Sequence, residues 1–254
     1  MKLHIDTERA VLHVEDGGPS RELPLYSREA FEHLSELWIK VGWNERYSYT
    51  FTWMGRPIVQ LPEDVLRIQE VIWRLEPDII LETGVAHGGS LVFYAGLCEA
   101  RGRGKVIGVD IEIRSHNRAA IESHPLAHRI SLIEGDSVAP STLEQVRELV
   151  GNASRVLVLL DSCHTKAHVA AELEAYHGFV TPGSYIVATD GIMKALHDVP
   201  SGQPTWSWDN PTDAAAEFAQ RHPEFVIEQP AWAFRESKLE RNNTYWPGAY
   251  LRRA

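Results

Sequence analysis

Residues 78–90, DIILETGVAHGGS, join an apolar β-rich run to a glycine-rich loop that opens into an amphipathic stretch. Four further runs repeat the pattern: KVIGVDI (105–111), RISLIEGD (129–136), RVLVLLD (155–161) and SYIVATDG (184–191). Each is continuous in apolar character and separated from the next by a helix-length segment, as strands buried on both faces of a parallel sheet require. FVIEQP (225–230) and PGAYLRR (247–253) supply two more strands, expected as an antiparallel pair at the sheet's edge. The fold class is therefore α/β, a doubly wound, mostly parallel seven-stranded sheet of Rossmann-like form.

The first sixty residues read differently. AVLHVEDGGPSRELPLY (10–26) places alternating stretches around Asp16-Gly17-Gly18, a hairpin signal. SREAFEHLSELWIK (27–40) has a Ser27 cap and an apolar face of Phe31, Leu34, Leu37 and Trp38. An aromatic-rich stretch with Trp43, Tyr49 and Trp53 follows, and Pro62 then opens a helix with acids behind it. We accordingly expect a hairpin/helical extension over 1–60 and the main domain over 61–254.

With 25 Lys+Arg against 35 Asp+Glu, the 254-residue chain carries a formal charge of −10. That excess opposes non-specific binding to nucleic acid, which needs Lys and Arg to displace counterions. Two cysteines cannot build a disulfide framework or a four-thiolate zinc site. No apolar run nears the ~20 residues of a membrane helix, so a cytoplasmic location without membrane contact is expected.

The strand ends carry the functional signal. Asp110, Asp136, Asp161 and Asp190 fall at or just beyond the ends of four runs, and Glu82 comes from the first. In an open α/β sheet these ends line the ligand crevice. The loop reads G-x-x-x-G-G, neither the dinucleotide G-x-G-x-x-G nor a P-loop. Gly84 and Gly88 permit tight turning and close approach of a ligand to the helix start at Ser90. Asp110 is placed for ribose hydroxyls and Asp136 for an adenine edge. The charge of Glu82 would repel a pyrophosphate but suits a sulfonium ligand with its own ammonium, which points to S-adenosylmethionine. The same glycines and acids also serve a doubly wound fold that binds nothing, and a dehydrogenase stays open on these facts alone.

In LLDSCHTKAH (159–168), adjacent parallel strands would bring Asp161 and Asp190 together, and two carboxylates in one site suit a hard cation such as Mg²⁺. His164 then stands where a general base would meet a substrate hydroxyl. The plainer alternative has His164 capping the next helix and both aspartates bonding backbone donors. His164 and His168 share the i, i+4 spacing of a zinc helix, but Thr165 stands where the catalytic Glu of that motif belongs.

The runs TWMGRPIVQLPEDVLRIQEVIWRLEPDIILETGVAHGGSL (52–91) and LLDSCHTKAHVAAELEAYHGFVTPGSYIVATDG (159–191) together resemble the cephalosporin hydroxylase/rhamnosyl O-methyltransferase family. The resemblance covers roughly residues 50–195 and, weakly, the tail. It implies a class I methyltransferase fold, S-adenosyl-L-methionine as cofactor, and frequent Mg²⁺ dependence. It further implies methylation of a sugar or nucleotide-sugar hydroxyl in natural-product pathways, including antibiotic biosynthesis. Cofactor contacts are implied at Glu82, Gly84, Ser90 and Asp110; Gly88, Asp136 and Asp161 complete the expected lining. Metal ligands are implied at Asp161 and Asp190, and a base at His164. One departure stands out: members commonly carry Glu-Asp at the end of strand five, where this chain has Thr189-Asp190.

The long segment GIMKALHDVPSGQPTWSWDNP (191–211) suggests a lid or specificity element. Trp206 and Trp208 there can stack on sugar rings and His197 can bond hydroxyls, or the tryptophans can simply pack the loop. A homo-oligomer is expected. Two rival readings are an NAD-dependent sugar oxidoreductase and a non-catalytic partner of another biosynthetic enzyme.

Overall fold

A computed structural model describes residues 1–254. The chain opens with a three-stranded antiparallel sheet of β1 (Lys2–Asp6), β2 (Val11–Glu15) and β3 (Arg21–Pro24), with Asp16-Gly17-Gly18 in the β2–β3 turn. The helix α1 (Arg28–Asn44) packs on it, and the Ser27 side chain accepts the Ala30 N–H as its cap. Leu12, Val14 and Ala30 form a small apolar cluster of their own here. A short hairpin, β4 (Thr52–Trp53) and β5 (Arg56–Pro57), leads into α2 (Pro62–Leu75), which begins on its proline as the sequence predicts.

The main sheet has seven strands in the order β11-β12-β10-β9-β6-β7-β8. These are β6 (Ile79–Thr83), β7 (Lys105–Asp110), β8 (Ile130–Glu134), β9 (Val156–Leu160), β10 (Tyr185–Ala188), β11 (Phe225–Ile227) and β12 (Tyr250–Arg253). The first five expected strands pair in parallel, and β12 runs antiparallel to both of its neighbours. The last two strands do pair antiparallel, but only β11 is an edge: the final strand β12 lies between β10 and β11. Continuous apolar runs are needed because both faces are covered. On one side α2 and α3 (Gly89–Ala100) pack against Ile80, Val106, Leu157 and Val187. On the other, α5 (Pro140–Val150), α6 (Lys166–Tyr176) and α7 (Pro211–Arg221) pack against Ile79, Leu81, Val158 and Ile186. The remaining helix, α4 (Ser115–Glu122), follows β7. No helix is long and apolar enough to cross a membrane.

The topology fixes where a ligand belongs. After β6 the chain moves outward through β7 and β8, then returns to lay β9 on the other side of β6. The C-terminal ends of β6 and β9 therefore flank the switch point, where the loops diverge and leave a crevice.

Candidate active site

Gly84 follows β6 with φ +93°, and a Cβ there would run into the Asp161 carbonyl. Only glycine lets the two strand ends approach so closely. Gly89, the first residue of α3, meets Pro57 of the hairpin just as tightly. Between them Ala86 also lies at positive φ, +45°. The loop is held from outside: Arg56 donates to the His87 carbonyl through Nε and Nη2 (3.0 and 2.6 Å), and Nη2 also reaches Asn117 Oδ1 at 3.0 Å. Buried Asn117 donates in turn to the Ala86 carbonyl at 2.9 Å.

Asp110 is engaged by backbone donors. Its Oδ2 accepts the Val85 and Ala86 N–H groups (2.8 and 3.1 Å) and its Oδ1 that of Glu112 (3.2 Å). It pins the glycine loop to β7, so any ribose hydroxyls would have to share a carboxylate already bonded. Asp136 lies two residues beyond the end of β8, exposed, and accepts the Val138 N–H at 3.1 Å.

Glu82 is fully buried, accepting from the Ser90 hydroxyl (2.5 Å) and from Tyr94 (3.1 Å). Burial, and then the charge of Asp161, push its carboxyl well above the usual range. On its other flank Asp161 is fixed by neutral donors. Thr189 donates to Oδ1 and Gln60 Nε2 to Oδ2, at 2.5 and 3.3 Å. Burial raises the Asp161 carboxyl against the opposing pull of His164.

Parallel pairing of β9 with β10 brings Asp161, His164 and Asp190 together, as expected. One ligand atom from each lies within 4.8 Å of the other two. His164 Nε2 is 3.4 Å from Asp190 Oδ2 and 4.0 Å from Asp161 Oδ1. Asp190, itself at positive φ, has its carboxyl raised to about 6 by burial, with His164 pulling it down and Asp161 pushing it up. His164 does not cap the next helix; Thr165 does, accepting the His168 N–H. Because His164 precedes α6, the i, i+4 spacing does not put both histidines on one helical face. His168 instead contacts Ser137 Oγ and Ser162 Oγ (3.4 and 3.2 Å) and pairs with buried Glu172 at 3.3 Å. No zinc site forms there.

Trp206 is half-buried and meets Trp43 edge-on at 6.4 Å; Trp43 in turn meets Tyr245 at 5.0 Å. Trp208 is 62% exposed, and His197 contacts only the Lys194 carbonyl of its own turn. Trp53 packs on Phe93 of α3 at 4.9 Å. Sequence reasoning missed Gln60, the Arg56–Asn117 clamp and Trp246, whose side chain helps pull the Asp190 carboxyl down.

A crevice at the switch point, a glycine loop between β6 and α3, and acids at successive strand ends define a Rossmann-like class I methyltransferase fold. A solved CmcI structure holding Mg and SAM has the same fold, with a TM-score of 0.55, 19% identity, and coverage of 81% of this chain and 77% of that one. The chain belongs to the Rhamnosyl O-methyltransferase/CmcI family, whose model matches residues 45–254. A rhamnosyl O-methyltransferase of Mycobacterium leprae is 33% identical over 146 residues, 57% of this chain. One of Mycobacterium tuberculosis is 31% identical over 158 residues, 60% of this chain. Both matches span 62% of the relative's own length.

Proposed function

We propose that the protein is an S-adenosylmethionine-dependent O-methyltransferase that acts on a sugar hydroxyl, with Mg²⁺ assistance and His164 as general base. The observation that carries this reading is the cluster of Asp161, His164 and Asp190 at the end of the crevice where the glycine loop opens. The family and the names of its mycobacterial relatives support a rhamnose-like or other deoxysugar acceptor, free or nucleotide-activated, of a natural-product pathway.

The donor atoms fit a hard divalent cation. Two carboxylates face one another with their proton affinities raised by burial, so a positive charge between them relieves an existing electrostatic cost. Thr189 adds no third carboxylate; its hydroxyl orients Asp161 instead. Asp161 and Asp190 would hold the ion, which when bound makes an adjacent hydroxyl more acidic. S-adenosylmethionine supplies an activated methyl group, so the protein's work is to position the acceptor and remove its proton. His164 Nε2 lies against both carboxylates, within reach of a hydroxyl held there, and takes that proton. Gly84, Gly88, Ser90 and Glu82 would receive the amino-acid end of the donor, with Asp110 and Asp136 toward its nucleoside. Trp206, joined to Trp43 and Tyr245, offers an aromatic wall for a sugar ring. The loop has no dinucleotide fingerprint, which leaves an oxidoreductase without a binding motif.

Incubation with S-adenosylmethionine, Mg²⁺ and a panel of rhamnosyl and nucleotide-sugar acceptors tests this by mass spectrometry. A gain of one methylene unit on an acceptor, dependent on the cofactor, is expected. No methylated product from any acceptor, together with no calorimetric binding of the cofactor, would overturn it.

A further inference from the structure

Gln60 is 5% exposed, yet its Oε1 has no hydrogen-bond partner. The amide orientation is fixed by its other end: Nε2 donates to Asp161 Oδ2, and a flipped amide would set oxygen against a carboxylate. The acceptor oxygen is thus held free beside a recess of about 50 Å³ that Gln60 lines with Gly84, Ser90 and Asp161. A buried acceptor without a donor carries a desolvation cost that a ligand can remove. The volume suits one small polar head and excludes a nucleoside.

The sign of that head follows from its surroundings. Glu82 and Asp161 lie side by side, and the one basic side chain within ion-pair distance of either is His164, 4.0 Å from Asp161. The hydroxyls of Ser90 and Tyr94 are both committed to Glu82. An anion placed there would face the Glu82 and Asp161 carboxyl groups, and neither of those hydroxyls is free to donate to it. An ammonium brings three N–H donors and the missing positive charge.

We infer that Gln60 is a cofactor-binding residue whose carboxamide oxygen accepts a hydrogen bond from the α-ammonium of the methyl donor. The inference rests on the proposed methyl-donor reading. It adds a residue outside the glycine loop that selects the amino-acid end of the ligand. Because the same side chain holds Asp161, it also links donor binding to the orientation of a metal-site carboxylate.

Titration calorimetry tests it with two probes: S-adenosylhomocysteine, and its deamino analogue, which keeps the carboxylate and loses the ammonium. The wild-type protein should bind the first about tenfold or more tighter than the second. Gln60→Leu should weaken S-adenosylhomocysteine by a similar factor and leave the deamino analogue within about twofold, with thermal unfolding confirming the fold. Equal wild-type affinity for the two probes would overturn the inference, a result that needs no variant. Equal weakening of both probes by Gln60→Leu, or weakening of neither, would also overturn it while the methyl-donor reading survived. Failure of the wild type to bind either probe would sink both readings.

Discussion

At the scale of single residues, His164 and the two aspartates were legible because they sit at strand ends that hydrophobic runs mark out. Asp161 ends one run, Asp190 the next, and parallel neighbours must bring them together. Gln60 was not legible. It lies in an irregular stretch before Pro62, and its meeting with Asp161, 101 positions away, is a product of tertiary packing alone. Asp110 shows the opposite: a correct position, but a carboxylate engaged by the Val85 and Ala86 amides. In its proposed role as the base, His164 should matter to turnover far more than to binding. His164→Ala is expected to lower kcat by roughly 10²–10⁴-fold, with calorimetric cofactor affinity nearly unchanged; a variant of near-wild-type kcat would remove it from that role. The two aspartates make a separate prediction. Chelation with EDTA, or Asp190→Asn, should cut the rate sharply, and added Mg²⁺ should restore the chelated protein but not the variant. Full activity after chelation would show that Thr189 marks a metal-independent branch.

At the scale of elements, the glycine loop draws its shape from three directions: the β6–β9 approach, the β4–β5 hairpin, and Asn117 of α4. The need for glycine at 84 was readable from the strand–loop–helix pattern. The clamp was not, because Arg56 and Asn117 carry no local signal and each lies 31 positions from the loop residue it bonds, His87 and Ala86 respectively. Ala86 at positive φ is unfavourable for a residue with a Cβ, by about 1–3 kcal/mol, and persists only while its surroundings hold it. Removing the guanidinium should let that residue relax and the loop open. Arg56→Ala is therefore expected to raise the Kd for S-adenosylhomocysteine about tenfold, in line with the loss of a charged hydrogen bond of ~1.5–3 kcal/mol. Thermal stability should fall only modestly, since the side chain sits at the rim. Unchanged affinity in calorimetry would show that the loop keeps its form without the clamp.

At the scale of the whole molecule, the sheet and its covering helices followed from the apolar runs, whereas the path of residues 228–249 did not. That stretch has no periodicity and is placed by distant partners. Arg28 and Glu32 of α1 pair with Glu240 and Arg241, and Asp64 of α2 takes the Thr244 hydroxyl and the Tyr245 N–H. Asp64 is thus the internal tie that sets Tyr245 and Trp246 beside the site. It is 2% exposed, and burial raises its carboxyl from the ordinary 3.8 to about 8 despite both hydrogen bonds. Between those two values the folded chain keeps a proton that the unfolded chain has released. Stability from this group is therefore fully present below about pH 4 and falls as pH rises toward 8. Asn at this position keeps an acceptor for the Tyr245 N–H and cannot ionise. The melting temperature of the wild type should drop between pH 5 and pH 8 by more than that of Asp64→Asn. A difference of ~1 kcal/mol would appear as about 2–4 °C. Parallel melting curves across that range would show that Asp64 ionises freely in the fold, and that the tail is held to α2 by something other than a buried, protonated carboxyl.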